Sequence, residues 1–324
     1  MVGGGAPALA QSGTLFPEPF VVEHHLIQRD GDGSDAFVGE TVTDYYGGSW
    51  WVSVAADESR LIIDLAQQQL TEVRPREGTY WTLSFRSLSE LRRRWLESPM
   101  GRDVLAVQAE LHRRTALEAK ALGVESSQPE IVAREVGADA PSPGVEAKSL
   151  SRLSPKAAEL LSTPGVRRLQ VAVERGRTEK VKLDVTVDPR IRLQRSAVEA
   201  LAAFETTALA LPSPVDSEIV PPEKLFAAAR ELAQGAFPVR WVQVLDQAGD
   251  GRGTLEDVVT RLEPLGRFPH ELLEIPPGLA QVPHPLRSAL DVLQDPRRPE
   301  RPSEASGEIE GPVGIGAGAE ERTP

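Results

Sequence analysis

Cysteine is absent from all 324 residues. Its absence excludes disulfides, thiolate metal sites and cysteine nucleophiles together, while leaving the compartment open. No apolar run approaches the roughly eighteen residues that a membrane-spanning helix needs. Positive charge is also short: 36 Lys and Arg stand against 48 Asp and Glu, a net charge of -12. This balance argues against nucleic acid or an anionic membrane surface as the main partner. The run Arg92, Arg93, Arg94 reads as a solvated helix face. Enzyme signatures are missing as well, since the chain has no G-x-S-x-G elbow, Walker loop or dinucleotide fingerprint. No catalytic residue, metal ligand or cofactor is assigned from the sequence.

Aromatic residues are few and unevenly spread. Eleven of the sixteen lie between Phe16 and Trp95, and none lies between Trp95 and Phe204. Because aromatics dominate core area, residues 16–122 are expected to hold a packed β-meander with helices. Residues 123–165, rich in Pro, Ser, Ala and Gly, read as a flexible linker. Residues 166–284 then supply hairpins and helices that complete the same sheet, and 285–324 read as a disordered tail. Residues 1–15 contain Ala8-x-Ala10 before Gln11, the small-residue pattern of a signal-peptidase site. The expectation is the remainder of an export signal and a periplasmic or otherwise exported protein. The alternative is an accidental Ala-rich start and a cytoplasmic one.

The period in the first half is two. FVVEHHLIQ and DAFVGETVTDYY are strand candidates, and Gly47-Gly48 between YY and SWW predicts a type I′ hairpin turn. In SWWVSVA, Trp50, Val52 and Val54 share one face, while Trp51, Ser53 and Ala55 take the other. RLIIDL, QLTEV and TYWTLSF continue the meander, with Trp81, Leu83 and Phe85 alternating. Ser87 and Glu90 form a capping box for a following helix. In the second half, residues 166–189 read as a hairpin with Lys180, Lys182, Asp184 and Asp188 on a wet face. Helical runs follow near 195–210 and 222–235. The stretches 237–247 and 254–265 make a further hairpin, and LLEIP (272–276) is the last element expected to be structured.

Metal and acid-base readings are weak on spacing alone. His24 and His25, adjacent on a strand, point to opposite faces and cannot chelate one ion. The loop from Asp30 lacks an acidic twelfth residue, which is Thr41. The loop 246–257 has Ala248 where an oxygen ligand belongs, so both read as turns rather than calcium loops. Asp44 and Asp64 would form a general acid and base pair only if both faced one cleft.

The segments YYGGSWWVSVA and SRLIIDLAQQQLTEVRPREGTYWTLSF, with the closing FPVRWVQVL and VVTRLEPLGRFPHELLEIPPGLAQVP, carry a resemblance. Their order and texture resemble the bacterial outer-membrane lipoprotein-carrier superfamily, the lipoprotein localisation factors, and its secreted relatives. The likeness covers residues 20–95 and 166–283. It implies an α+β fold: a strongly curved antiparallel sheet, an incomplete β-barrel, covered on its concave side by helices. It also implies a non-enzymatic envelope protein holding an acyl chain, lipid or lipidated partner. The insertion between the halves and the acidic tail depart from the carrier pattern. By alternation, Tyr46, Trp50, Val52, Val54, Trp81, Leu83 and Phe85 are the candidate pocket lining. The same alternation describes a filled core, which would make the protein a structural or protein-interaction domain, and a carboxylate hydrolase is the third reading.

Overall fold

The computed structural model describes residues 14–29, 35–103, 105–106, 110, 113, 130–137, 155–175, 178–205, 220, 222–246 and 252–293. Residues 1–13, the core of the export-signal reading, and most of 104–122, the end of the stretch expected to hold the first packed unit, lie outside them. The class is α+β, built on one large, mostly antiparallel sheet that does not close into a barrel.

The first half is a meander. β1 (Phe16–Arg29), β2 (Asp35–Gly48), β3 (Trp50–Val54), β4 (Arg60–Asp64), β5 (Gln69–Arg74) and β6 (Thr79–Ser84) pair in chain order. The second half runs outward from the other edge of β1. β11 (Arg252–Pro264) pairs with β1, followed by β10 (Ala236–Asp246), β9 (Thr178–Arg192), β8 (Arg167–Arg175) and β7 (Glu130–Val136). At the β6 end a two-residue strand, β12 (Ala280–Gln281), adds in parallel.

Helices among the described residues include α1 (Phe85–Glu97), α2 (Pro155–Leu161), α3 (Arg195–Phe204), α4 (Pro222–Ala233) and α5 (Pro285–Leu293). The opening of α1 is three residues earlier than a capping box at Ser87 would have it. Ser84 is the N-cap, and its hydroxyl accepts from the Ser87 amide at 3.1 Å, satisfying an amide that has no partner within the helix. Phe85 therefore begins a helix instead of ending a strand. Leu88, Leu91 and Leu96 are its buried stripe. β7 and α2 lie inside 123–165, where the sequence suggested only a linker. The Ala157 side chain of α2 is fully buried. α5 likewise falls inside the expected tail, and its Leu290 is buried.

Both faces of the sheet bury side chains, which the short β4 run RLIID anticipates by carrying Leu61, Ile62 and Ile63 in succession. One face holds Phe16, Phe20, Val22, Tyr46, Ile63, Leu70, Trp81 and Val259 in a cluster with Phe85 and Leu88 of α1 and Ala197 and Phe204 of α3. On the same face β8 and β9 place Leu169, Val171, Leu183 and Val185 against Leu225, Ala229 and Ala233 of α4. The opposite face has its apolar cluster at the β3 to β6 end, where Val52, Ile62 and Val73 pack with Phe268.

The centre of that second face is charged and buried. Arg29, Glu256, Arg240 and Asp184 are each less than 5% exposed. Glu256 bridges two arginines: Oε2 accepts from Arg29 at 3.2 Å and Oε1 from Arg240 Nε at 2.7 Å. Asp184 accepts from Arg168 at 2.5–3.1 Å and from Gln170 at 3.1 Å. The wet face expected for β8 and β9 is thus corrected: Asp184 and Asp188 are buried because arginines meet them, and of the predicted set Lys180 is exposed.

After β11 the chain straps the β6 edge. Phe268 packs into the second-face cluster with Leu272, Leu273 and Leu279, and the Arg60 guanidinium donates to the Glu274 carbonyl. β12 then passes along β6, and Val282 and Leu286 emerge packed against the first-face cluster. The last element expected, LLEIP, is partly a 3-10 turn over His270–Leu273.

The strap explains the double glycine. Gly47 pairs with Trp50, so the two turn residues are Gly48 and Ser49, one later than predicted. Only the first has positive φ, +63° at Gly48, the pattern of a type II′ hairpin. Gly47 has a separate reason: a Cβ there would come within 2.9 Å of Phe268 Cβ and Cγ. No helix among the described residues is long and apolar enough to cross a membrane.

Candidate functional site

The pairing across the hairpin decides where the candidate lining residues go. Tyr46 faces Trp51 across the hairpin, and the register continues through Ile63 and Leu70 to Leu83. Tyr46, Trp81, Leu83 and Phe85 therefore share one face, in the large cluster. Trp50, Val52 and Val54 lie on the other face, beneath the strap, where Trp50 meets Phe268 at 6.0 Å and His270 at 5.8 Å between ring centroids. The seven candidates do not line one pocket.

The residues that join the first four were not among the candidates. Tyr46 is stacked between Phe20 at 4.7 Å and Trp51 at 5.7 Å, with Phe237 edge-on at 5.8 Å. Phe204 of α3 closes on Trp51 at 5.8 Å and on Phe85 at 5.0 Å. Together these rings form a continuous aromatic surface between the sheet and the helices. Trp51 stands in SWW on the face opposite Trp50, as the alternation predicts, and it is Trp51 rather than Trp50 that shares a face with Tyr46. Phe204 and Phe237 follow only from the long-range pairing of β1 with β11.

Trp81 is anchored at its polar edge, where Nε1 donates to Glu72 Oε2 at 2.5 Å, and His284 lies edge-on at 4.4 Å. Burial lowers the His284 pKa below the ordinary histidine value, although Glu72 opposes it.

A polar cluster borders the aromatic surface. The Tyr46 hydroxyl donates to Asp44 Oδ2 at 3.3 Å. His24 sits between two carboxylates, with Nδ1 2.8 Å from Asp257 Oδ1 and Nε2 3.4 Å from Asp44 Oδ2. Burial alone would lower the His24 pKa, but the two carboxylates prevail and raise it to about 10. Burial, with Asp44 beside it, also holds the Tyr46 phenol well above its ordinary value. An imidazolium at neutral pH is occupied as an ion-pair partner and has no lone pair for base work. His25, on the opposite face, approaches Thr41 Oγ1 at 3.4 Å.

Asp44 and Asp64 do not form an acid-base pair. Asp44 pairs with Ser53 and Asp64 with Trp50, so they take opposite faces. Asp64 caps a turn instead, accepting from the amides of Ala66 at 3.0 Å and Gln67 at 2.9 Å. Among the described residues, no group of three or more His, Asp and Glu is arranged to hold a metal ion. A polar depression of about 290 Å³ opens on α1, lined by Gln68, Arg86, Ser89, Glu90 and Arg93. It is separate from the aromatic surface. In comparisons with known proteins, no family model matches the chain and no curated protein matches it either.

Proposed function

We propose that the protein is a non-enzymatic cell-envelope module that binds a hydrophobic ligand, namely an acyl chain, a lipid or a lipidated partner. The site lies between the sheet and the helices on its concave side. The observation that carries this reading is the aromatic surface of Phe20, Tyr46, Trp51, Phe85, Phe204 and Phe237, joined with Trp81 and Leu83. An unclosed sheet leaves the covering of such a surface to helices, which touch it through side chains alone. Those helices can part from the sheet without breaking a strand ladder, and an acyl chain offers the exposed rings the burial that the helices give up.

A second reading has its own support. Tyr46 has rings on both sides, and Ile63 beneath the same surface is fully buried, as in the permanently filled core of a protein-interaction domain.

The test is native mass spectrometry of protein taken from its own host's envelope fraction, with lipid extraction of what travels with it. One acyl ligand per chain, reduced in Trp51→Ala and retained in Trp50→Ala, supports the binding site. A bare chain in the cytosol, or equal loss in both variants, supports the filled core.

A further inference from the structure

The two ends of the sheet are finished differently. At β6 the edge is covered by β12 and the strap that continues into α5. At the other end β7 pairs through its inner edge with β8 over residues 130–136. Among the described residues no strand pairs with its outer edge, so a row of backbone amides and carbonyls faces outward.

The alternation along EIVAREV limits what that edge can accept. Ile131 and Ala133 turn toward α4 and pack, half-buried, against the second apolar cluster. Glu130, Val132 and Arg134 lie on the opposite face. The Arg134 guanidinium pairs with Glu179 of β9 through Nη1 and Nη2, and a five-donor fork retains capacity for a second carboxylate.

We propose that the outer edge of β7 pairs antiparallel with β7 of a second copy of this chain, about a two-fold axis at Val132. In that register Val132 faces its own copy, Ile131 faces Ala133, and Glu130 faces Arg134 on both sides of the axis. Apolar residues meet on the face already covered by α4, and opposite charges meet on the other. The neighbouring registers fail. An axis at Ala133 sets Ile131 against Glu135, and an axis between Val132 and Ala133 sets Glu130 against Glu135. The contact is isologous and closes at two copies, because the far end of each sheet is capped by its strap. This inference is independent of the ligand proposed above.

Sedimentation velocity of the full chain over a wide concentration range tests it. The wild type forms a dimer whose share rises with concentration. Glu130→Arg sets Arg against Arg134 while leaving the Arg134–Glu179 pair intact, and weakens association about tenfold or more, since like charges directly opposite repel at two symmetric places. The swap Glu130→Arg with Arg134→Glu restores dimerisation to within a few fold. Three results would each overturn the proposal: a wild type that stays monomeric, a dimer indifferent to Glu130→Arg, or a defect that the swap does not repair. Capture of an unrelated extended peptide by a monomeric wild type counts as the first of these.

Discussion

The His24 cluster makes stability depend on alkaline pH. His24 links β1 to β2 through Asp44 and to β11 through Asp257. Its pKa is raised from 6.5 to about 10 in the folded protein. A group with a raised folded value contributes fully below its unfolded value and loses that contribution as pH rises through the folded one. The window is therefore pH 6.5 to about 10. At about 1.36 kcal/mol per pH unit, that difference is roughly 5 kcal/mol. Solvent at the exposed edge of the ring reduces it to about 3–4 kcal/mol. This remains a large part of the roughly 5–15 kcal/mol that a native chain commonly has.

The assay is urea unfolding at half-unit steps from pH 6 to 10.5 for the wild type and His24→Gln. Lysines and tyrosines titrate at the upper end in both proteins, so the difference between the two curves isolates His24. That difference is largest near pH 6.5 and shrinks toward zero near pH 10.5. A gap that stays constant across the window refutes the assignment. Imidazole NMR gives an independent check, because Asp257→Asn should bring the His24 midpoint down by about one unit or more.

Three further outcomes follow from packing. Gly47→Ala drives a methyl group into Phe268 and should cost about 1–3 kcal/mol. Adding Phe268→Ala should make the same change nearly free, as a double-mutant cycle by thermal unfolding would read. Glu256→Ala leaves Arg29 and Arg240 without their shared carboxylate and should cost about 3–5 kcal/mol in urea unfolding; a loss under 1 kcal/mol would mean that water reaches these arginines. Leu290→Ala empties a buried site on α5 and should cost about 2–5 kcal/mol. An unchanged melting temperature would show that α5 does not dock.

Much of the strand order was legible because each hairpin carries its own alternation and its own turn. β1 with β2, β8 with β9, and β10 with β11 all follow from period two. Which residues of successive strands share one face is harder to read, because alternation sorts the side chains within a strand while their common face follows only from cross-strand partners. Moving a two-residue turn by one position shifts the cross-strand pairing by two and leaves each side chain on its face, so Trp51 shares the Tyr46 face under either turn, and the candidate lining that joins Trp50 to Tyr46 goes against that pairing. Both glycines carried the same local signal, and the cause that separates them, Phe268, lies more than two hundred residues away. The same limit hid the His24–Asp257 pair and the burial of Asp184, whose sequence neighbours Lys182 and Lys180 gave it the look of a solvated face. α5 and β7 sit in stretches whose composition resembles a linker and a tail, although each carries a short apolar period of its own.

The pairing of β1 with β11 also constrains how the chain comes to be folded. Residues 16–29 are synthesised well before their partners at 254–264, which lie more than two hundred residues further along. The first six strands can assemble as a meander beforehand, but one side of β1 waits, with Phe20 and Val22 uncovered, until β11 has left the ribosome. Contacts of such sequence separation form slowly, and a long unpaired strand edge is open to foreign pairing in the interval. Chains ending before β11 would lose far more than the residues removed, since β1 would be left as a raw edge in what should be the middle of the sheet.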